Sequence, residues 1–200
     1  MFGTQKHDFA MDVFDGDLPG VRVIEPDVYS DERGAFLETW NAREYGRHGL
    51  DVAFVQDNLS RSRRHVLRGL HFQNPRPQGK LISVVRGEVF DVVVDVRSGA
   101  DTFGEWEGTV LSAENARQLY VPEGFAHGFV VTSEEALFHY KCTDFYHPET
   151  EGVIRWNDPA LGIDWPVEEP VLSDRDREAP LLEDVPEGKL VFGTHQPSTS

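Results

Sequence analysis

The sequence is poor in the features that mark several common classes of protein. A single cysteine, Cys142, excludes an intramolecular disulfide and any metal site built from several thiolates. No apolar run approaches the roughly 20 residues of a membrane-spanning helix. The first 17 residues carry acids and lack the basic and then apolar order of a signal peptide. We therefore expect a cytoplasmic protein, and its 200 residues suit one domain.

Basic residues are also scarce. Nineteen Lys and Arg oppose 35 Asp and Glu, which gives a net charge of −16, and only four of the bases are lysine. A chain this acidic repels nucleic acid and anionic membranes, so neither is expected as a partner. An anionic ligand requires a local cluster of arginine and lysine side chains. The acid-rich, lysine-poor composition is also typical of proteins from a saline cytoplasm, where salt screens self-repulsion, and we state this as a hypothesis.

Short runs of alternating polarity, separated by turn residues, indicate an all-β protein. Over residues 89–96, Phe90, Val92 and Val94 alternate with Asp91 and Asp95, so one face of this strand is apolar and the other carries two carboxylates. The predicted strands are 21–25, 35–40, 53–58, 66–72, 81–85, 89–96, 106–111, 118–121, 128–131 and 136–143. Short helices are predicted at 42–48 and 174–179.

The chain shows no internal repeat, and its composition predicts three parts. Residues 1–18 are expected to form a variable lead, residues 19–185 a single domain, and residues 186–200 a solvated, flexible tail. The helix at 42–48 would begin at Asn41, whose side chain is a good N-cap, and would end at Gly49.

The spacing Pro-x-Gly-x-x-His at residues 122–127 resembles the second motif of cupin barrels. In metal-binding cupins the first motif supplies His-x-His, but here the matching residues are His71, Phe72 and Gln73. Together with His127, this leaves too few nitrogen ligands for a tight transition-metal site. We therefore predict no metal, and we interpret His127 as a structural or substrate-contacting residue.

A longer resemblance extends over residues 21–184. Seven motifs occur in the order and spacing found in the dTDP-4-dehydrorhamnose 3,5-epimerase family, which the chain resembles. They are Asp-Glu-Arg-Gly at 31–34, Phe-Val-Gln-Asp-Asn at 54–58, Leu-Arg-Gly-Leu-His-Phe-Gln at 67–73, Gln-Gly-Lys at 78–80, Gly-Glu-Val-Phe-Asp-Val at 87–92, Pro-Glu-Gly-Phe-Ala-His-Gly-Phe at 122–129 and Ser-Asp-Arg-Asp at 173–176.

This resemblance implies an isomerase with a cupin-type barrel, a double-stranded β-helix or jelly roll with a few short helices. The family inverts C3 and C5 of dTDP-4-dehydro-6-deoxy-D-glucose to give dTDP-4-dehydro-L-rhamnose, a step of dTDP-L-rhamnose biosynthesis. Both carbons are α to the C4 ketone, so each inversion is a deprotonation to an enolate followed by reprotonation from the other face. This chemistry needs a base, a donor to the enolate oxygen and an acid, with no metal and no organic cofactor.

The resemblance also implies roles for individual residues. His71 would be the base, and Asp176 would orient it and stabilise its protonated form. Lys80, helped by Arg68, would lie near the C4 oxygen. Tyr140 would be the acid on the opposite face of the ring.

The substrate contacts implied by the resemblance are Arg33, Glu38, Gln56, Asn58, Arg68, His127 and Tyr146. Arginine side chains are suited to bind the diphosphate, and amide groups are suited to bind the thymine edge. Tyr146 is also a second, weaker candidate for the acid. In the family, part of the nucleotide site comes from the partner subunit. We therefore expect a homodimer in which residues 21–40 pair with the partner or reach its site.

Three alternatives stay open. A related epimerase that inverts only C3 or only C5 would share every proposed catalytic residue. A sugar-binding cupin without catalysis would not need the set of His71, Asp176, Lys80 and Tyr140. A metal-dependent cupin dioxygenase or isomerase is disfavoured by Gln73.

Overall fold

The computed structural model describes residues 11–192, and most of their regular structure is β-strand. The strands, numbered in chain order, are β1 Met11–Asp15, β2 Arg22–Pro26, β3 Tyr29–Asp31, β4 Gly34–Phe36, β5 Gln56–Arg63, β6 Leu67–Gln73, β7 Lys80–Arg86, β8 Glu88–Asp95, β9 Trp106–Ser112, β10 Gln118–Val121, β11 Phe125–Val131, β12 Glu135–Cys142 and β13 Glu151–Val153. The helices are α1 Ala42–Arg47, α2 Asp174–Arg177 and α3 Glu187–Leu190, with a 3₁₀ turn at Leu182–Asp184.

The strands form two antiparallel sheets and a separate hairpin. One sheet has the order β1-β2-β10-β7-β12-β5 and the other the order β13-β6-β11-β8-β9, while β3 pairs with β4. Most neighbouring strands are distant in sequence, as in jelly rolls and cupins. The all-β, cupin-type prediction is therefore confirmed, and no helix among residues 11–192 is long and apolar enough to cross a membrane.

The main core lies between the two sheets. Ile82 and Phe138 of the six-stranded sheet pack there against Val93, Phe125 and Phe129 of the five-stranded sheet. The ring centroids of Phe129 and Phe138 are 3.9 Å apart, so these two strands are in close contact across the barrel. This core fills one part of the interior with apolar side chains. The polar side chains of the interior lie together in the remaining part.

Strand β8 is buried on both faces, because side chains from other elements cover both faces of the five-stranded sheet at this strand. Phe90, Val92 and Val94 pack outward against a second cluster formed by residues of the C-terminal third, which include Ile154, Leu161 and Leu182. The alternation predicted from the sequence is confirmed, and the face that carries Asp91 is the one that turns into the barrel with Val89 and Val93.

The two predicted helices form close to their expected positions. Asn41 caps α1 by accepting hydrogen bonds from the backbone N–H groups of Arg43 (3.1 Å) and Glu44 (3.4 Å), and the helix ends at Arg47. Ser173 caps α2 by accepting from the N–H of Asp176 at 3.1 Å. This cap fixes Asp176 in the first turn of α2, facing β6.

The described structure begins before and ends after the predicted domain bounds of 19 and 185. Strand β1 lies within the predicted lead and pairs with β2 from Met11 opposite Pro26 to Asp15 opposite Arg22. At the other end, helix α3 lies within the predicted tail, and its Leu190 joins the outer cluster. The rest of the predicted lead and tail, residues 1–10 and 193–200, falls outside the described residues.

Hydrogen bonds explain why residues 186–192 pack onto the barrel. The side-chain amide of Asn74 donates to the backbone carbonyls of Lys189 and Val191, both at 2.9 Å. Phe192 also packs against Phe72, with ring centroids 6.3 Å apart. These contacts depend on partners more than 100 residues away, which the local composition of the segment does not reveal.

The packing of α3 predicts a difference between two adjacent substitutions. Leu190 is 6 % exposed and Val191 is 56 % exposed. We expect Leu190→Ala to lower the free energy of unfolding by about 2 kcal/mol or more, since it removes a buried side chain. Val191→Ala should change it by less than about 0.5 kcal/mol. Urea unfolding of both variants makes this measurement, and equal small effects would mean that the segment is solvated as its composition suggests.

Candidate active site

A pocket of about 290 Å³ opens between the sheets and is lined by side chains from both of them. It combines amide, imidazole, ammonium, phenol, thiol and carboxylate groups. Six residues predicted from the sequence line it, namely Gln56, Asn58, His71, Lys80, Tyr140 and Tyr146, together with Gln78, Cys142 and Glu151. Three of the four predicted catalytic side chains are therefore brought to one cavity, and the fourth, Asp176, contacts one of them.

His71 and Asp176 form a close pair beside the pocket. Nε2 of His71 lies 2.6 Å from Oδ1 of Asp176, while the hydroxyl of Ser173 donates to Oδ2 at 2.8 Å. Burial opposes ionisation of Asp176, but the hydrogen bonds from His71 and Ser173 outweigh it and lower the pKa of this carboxyl. An ionised Asp176 holds the proton on Nε2, so Nδ1 is the basic nitrogen of His71.

Lys80 and Tyr140 lie on neighbouring strands of the six-stranded sheet, whereas His71 lies on the five-stranded sheet. Nζ of Lys80 is 5.9 Å from the centroid of the Tyr140 ring. Burial lowers the pKa of Lys80, and the charges of Cys142, Asp91 and Glu151 oppose that effect. Burial also raises the pKa of Tyr140, which keeps the phenol protonated at neutral pH and able to donate a proton.

The loop that carries Tyr146 is held by two glutamines. Gln73 accepts from the N–H of His147 at 2.8 Å and donates to the carbonyl of Phe145 at 3.1 Å. Gln56 accepts from the N–H of Tyr146 at 2.9 Å. Gln73, which occupies the position of a histidine in metal-binding cupins, thus supports this loop by binding its backbone groups.

Glu151 is a pocket residue that the sequence reasoning missed. It accepts from the hydroxyl of Tyr146 at 2.8 Å and forms an ion pair with Arg175. Arg175 lies next to Asp176 in the Ser-Asp-Arg-Asp motif at 173–176, so this motif could have identified Arg175 as a residue near the pocket. Glu151 lies on the three-residue strand β13, which has no alternation pattern, and the sequence offered no comparable signal for it.

His127 is buried beside the pocket lining. It lies directly opposite His71 in the pairing of β11 with β6. Its Nε2 lies 3.0 and 2.9 Å from the two carboxylate oxygens of Asp91. Burial lowers the pKa of His127, although Asp91 acts in the opposite direction. Asp91 was predicted only as part of a polar strand face, without a functional role.

Besides His127, three of the predicted substrate contacts do not line this pocket. Arg33 lies at the tip of the β3–β4 hairpin, where it pairs with Asp31 and its side chain is 85 % exposed. Glu38 accepts from the side chain of Asn41 at 3.1 Å. Arg68 donates to the hydroxyl of Ser62 at 3.1 Å, and its charge acts on Tyr140.

Within residues 11–192, no three His, Cys, Asp or Glu side chains form a group that could hold a metal ion. The pairs His71–Asp176 and His127–Asp91 each provide one histidine and one carboxylate. Metal-independent activity stays a prediction from the sequence.

Comparison with known proteins gives consistent matches along the chain. The profile of the family described as dTDP-4-dehydrorhamnose 3,5-epimerase matches residues 15–184. Proteins named dTDP-4-dehydrorhamnose 3,5-epimerase from Methanothermobacter thermautotrophicus and Pseudomonas aeruginosa are each 55 % identical, over 83 % and 84 % of this chain and 92 % and 93 % of their own length. The crystal structure of dTDP-6-deoxy-D-glucose-3,5-epimerase from Legionella pneumophila, in complex with dTDP-4-keto-L-rhamnose, is 49 % identical with a TM-score of 0.89, covering 93 % of this chain and 100 % of that one.

The environment of Asp176 predicts a pH-dependent contribution to stability. Because its pKa is lower in the folded protein than in the unfolded chain, the ionised carboxylate stabilises the fold above about pH 4. This contribution is lost as the pH falls through the folded-state pKa. We expect Asp176→Asn to lower the free energy of unfolding by about 1–2 kcal/mol at pH 6 and by progressively less as the pH falls from about 4 toward 3.

The matched control is Asp174→Asn in the same helix, because the Asp174 side chain is 92 % exposed and pairs with Arg177 at the surface. It should have an effect of less than about 0.5 kcal/mol at pH 6. Denaturant unfolding at both pH values makes the comparison, and a pH-independent effect of Asp176→Asn would contradict the assignment.

Proposed function

The chain belongs to the dTDP-4-dehydrorhamnose 3,5-epimerase family, and from that premise we propose how its pocket inverts C3 and C5 of dTDP-4-dehydro-6-deoxy-D-glucose to give dTDP-4-dehydro-L-rhamnose. The observation that carries the proposal is the arrangement of an imidazole–carboxylate pair, an ammonium group and a protonated phenol around one cavity. These are the base, the enolate-stabilising cation and the acid that the reaction requires.

The first step removes a proton from the carbon next to the C4 ketone. Nδ1 of His71 takes this proton, the C–H electron pair becomes the enolate double bond, and the carbonyl π electrons move to the C4 oxygen. Asp176, at 2.6 Å from Nε2, stabilises the imidazolium that forms. Lys80 supplies the positive charge for the enolate oxygen, where a fixed cation in a desolvated site is most effective.

The second step returns a proton to the opposite face of the same carbon. The hydroxyl of Tyr140 donates it, the enolate electrons form the new C–H bond, and the C4 carbonyl is restored. Water then reprotonates the phenolate and takes the proton from His71. The same sequence at the second carbon completes the isomerisation, which consumes no oxidant or reductant. Tyr146 is the weaker candidate for this acid because it is bonded to Glu151.

The nucleotide would bind along the rim next to Tyr146. Gln56 and Asn58 provide amide groups for the thymine edge, and they are hydrogen-bonded to each other at 3.2 Å, which sets their orientation. The Tyr146 ring is half-exposed and offers a surface on which a base can stack. Arg68 would bind the diphosphate. His127, which lies beside the pocket lining, would contact the sugar.

We further propose a homodimer in which Arg33 and Glu38 serve the partner's site. One observation supports it: Arg33 lies outside the pocket of its own chain, at the tip of the β3–β4 hairpin, with its side chain 85 % exposed. An arginine on an exposed hairpin can reach the site of a neighbouring subunit, where it would meet the diphosphate.

A cytoplasmic location is part of the same proposal. The single Cys142 is a buried free thiol, as is common in reducing compartments. The acidic composition gives the chain no affinity for anionic membranes.

The proposed reaction predicts solvent exchange at two carbons. When the protein is incubated with dTDP-4-dehydro-6-deoxy-D-glucose in D₂O, we expect deuterium at both C3 and C5 and formation of dTDP-4-dehydro-L-rhamnose. Mass spectrometry and NMR of the product measure both. Inversion at one carbon alone would assign the chain to the mono-epimerases, and binding without exchange would indicate a sugar-binding cupin.

Two variants separate the base from the acid in the same assay. We expect His71→Asn to lower turnover and exchange at both carbons by about 10²–10⁴-fold, because no usable proton acceptor remains. Tyr140→Phe should retain part of the exchange while failing to deliver the inverted product. His48→Asn, at the exposed end of α1, is the control and should match wild type. Wild-type exchange by His71→Asn would refute the assignment.

A shared site predicts complementation between two defective chains. His71→Asn and Arg33→Ala should each be poorly active, whereas a refolded equal mixture should regain about a quarter of the wild-type sites, since each mixed dimer contains one intact site. Light scattering should give the mass of a dimer. Activity of the mixture equal to the mean of the two separate variants would mean that Arg33 acts within its own chain.

A further inference from the structure

The carboxylate of Asp176 is held at both of its oxygens. Oδ1 lies 2.6 Å from Nε2 of His71, and Oδ2 accepts from the hydroxyl of Ser173 at 2.8 Å. The proposed reaction uses the first contact and gives the second no role. Because the Asp176 side chain is only 5 % exposed, water reaches these oxygens poorly, and the Ser173 hydroxyl satisfies Oδ2 from within the protein.

The same hydroxyl also holds the backbone of Asp176. Oγ of Ser173 accepts from the Asp176 N–H at 3.1 Å, so one oxygen atom contacts both the main chain and the side chain of the residue three positions later. Acceptance from that N–H is what a serine N-cap does in many helices. Donation of the hydroxyl to the carboxylate is an additional contact that capping does not require.

A second serine of this chain makes the cap in its more common form. Ser112, the last residue of β9, accepts from the N–H of Asn115 at 3.0 Å, and the Asn115 side chain returns to the Ser112 N–H at 3.0 Å. Both partners are thus used locally, as in a capping box. At Ser173 the corresponding side chain instead bonds to the hydroxyl through Oδ2 and turns Oδ1 toward the imidazole.

The segment in front of Ser173 is attached to the beginning of the strand that carries the base. The N–H of Val171 donates to the carbonyl of His65 at 2.7 Å, and its carbonyl accepts from the N–H of Leu67 at 3.0 Å. These bonds fix where the segment lies, but they do not determine how the Asp176 carboxylate is turned. Rotation about the Cβ–Cγ bond of an aspartate has broad minima, so a contact at the second oxygen is needed to fix the plane of the group.

We propose that Ser173 is a positioning residue for the base, whose hydroxyl fixes the Asp176 carboxylate with Oδ1 facing Nε2 of His71. The imidazolium then forms opposite a carboxylate that does not have to reorient, which is the condition under which a fixed group stabilises developing charge best. Ser173 is not among the residues that line the pocket. The kinetic part of this inference rests on the proposed epimerase function, whereas the contact between Asp176 and His71 can be measured without substrate.

Three substitutions separate the donated hydrogen bond from the cap. Ser173→Ala removes both. Ser173→Gly removes the donor, but glycine is an N-cap almost as good as serine. Ser173→Thr keeps the hydroxyl, and the exposed position leaves room for the extra methyl group. A residue that acts only as a cap makes alanine more harmful than glycine, whereas a residue that orients the carboxylate makes the two equally harmful.

We expect Ser173→Gly and Ser173→Ala to lower kcat by about tenfold or more while KM stays within about twofold of wild type, because the base is misaligned and the substrate contacts are not. Ser173→Thr should retain most of kcat. The control is Ser112→Ala, which removes the same kind of cap outside the pocket and should match wild type. Wild-type kcat in Ser173→Gly, or a loss confined to Ser173→Ala, would overturn the proposal.

A measurement on the free protein separates this inference from the proposed reaction. The Nε2 proton of His71 lies in the 2.6 Å contact, so it should give a ¹H–¹⁵N signal protected from solvent exchange, which His71→Asn assigns. We expect this signal to broaden or vanish in Ser173→Gly and to persist in Ser173→Thr and Ser112→Ala. An unchanged signal in Ser173→Gly would overturn the proposal whether or not the protein epimerises the substrate.

The remaining outcomes are also decisive. If Ser173→Gly does not fold, Ser173→Asp takes its place, because its carboxylate can cap α2 but has no proton to donate to Asp176. Loss of the His71 signal in that variant supports the proposal, and its retention refutes it. A signal that depends on Ser173 in a protein that does not epimerise the substrate would uphold the positioning role and refute the proposed reaction instead.

Discussion

The contact between His71 and Asp176 joins two parts of the molecule that are 105 residues apart, and the geometry of the pocket depends on it. His71 belongs to a central strand of the five-stranded sheet, whereas Asp176 lies on a one-turn helix in a segment with little regular structure. Because α2 is short, its own hydrogen bonds contribute little, and its position is set by the Ser173 cap and by the imidazole. The helix α2 is thus held against β6 by the contact to His71, together with the ion pair of Arg175 with Glu151.

A related constraint applies to the loop that carries Tyr146. Gln73 uses both ends of its amide to bind the backbone at Phe145 and His147. A histidine at this position could not make the same two contacts, because the donor and the acceptor of an imidazole have a different spacing. In this chain the end of β6 therefore supports the loop that carries Tyr146.

The sequence predicted the parts of this molecule that depend on local pattern. The strands around residues 89–96 and 118–121, the Asn41 cap and the Ser173–Asp176 turn follow from alternation and capping, and they form where expected. Six predicted residues line one pocket because their motifs lie at strand ends on the same side of the barrel. The prediction could not tell that the Asp91 face of β8 turns inward, because a buried carboxylate and an exposed one give the same alternation.

Long-range contacts account for what local pattern missed. The segment at 186–192 belongs to the stretch predicted as a solvated tail, and the carbonyl contacts to Asn74 and the burial of Leu190 show why it packs. Glu151 enters the pocket on a strand of three residues that exists because β6 offers it an edge. No composition rule marks such a strand, since its stability comes from its partner rather than from its own residues.

The distribution of charge explains how so acidic a chain can bind an anionic substrate. The net charge of −16 is a property of the whole surface, whereas Lys80, Arg68 and Arg175 are gathered around one pocket. At physiological ionic strength charges more than about 8 Å apart at the surface are largely screened, so distant carboxylates oppose the ligand weakly. Inside the barrel screening is weak, and a few cations there outweigh many acids outside.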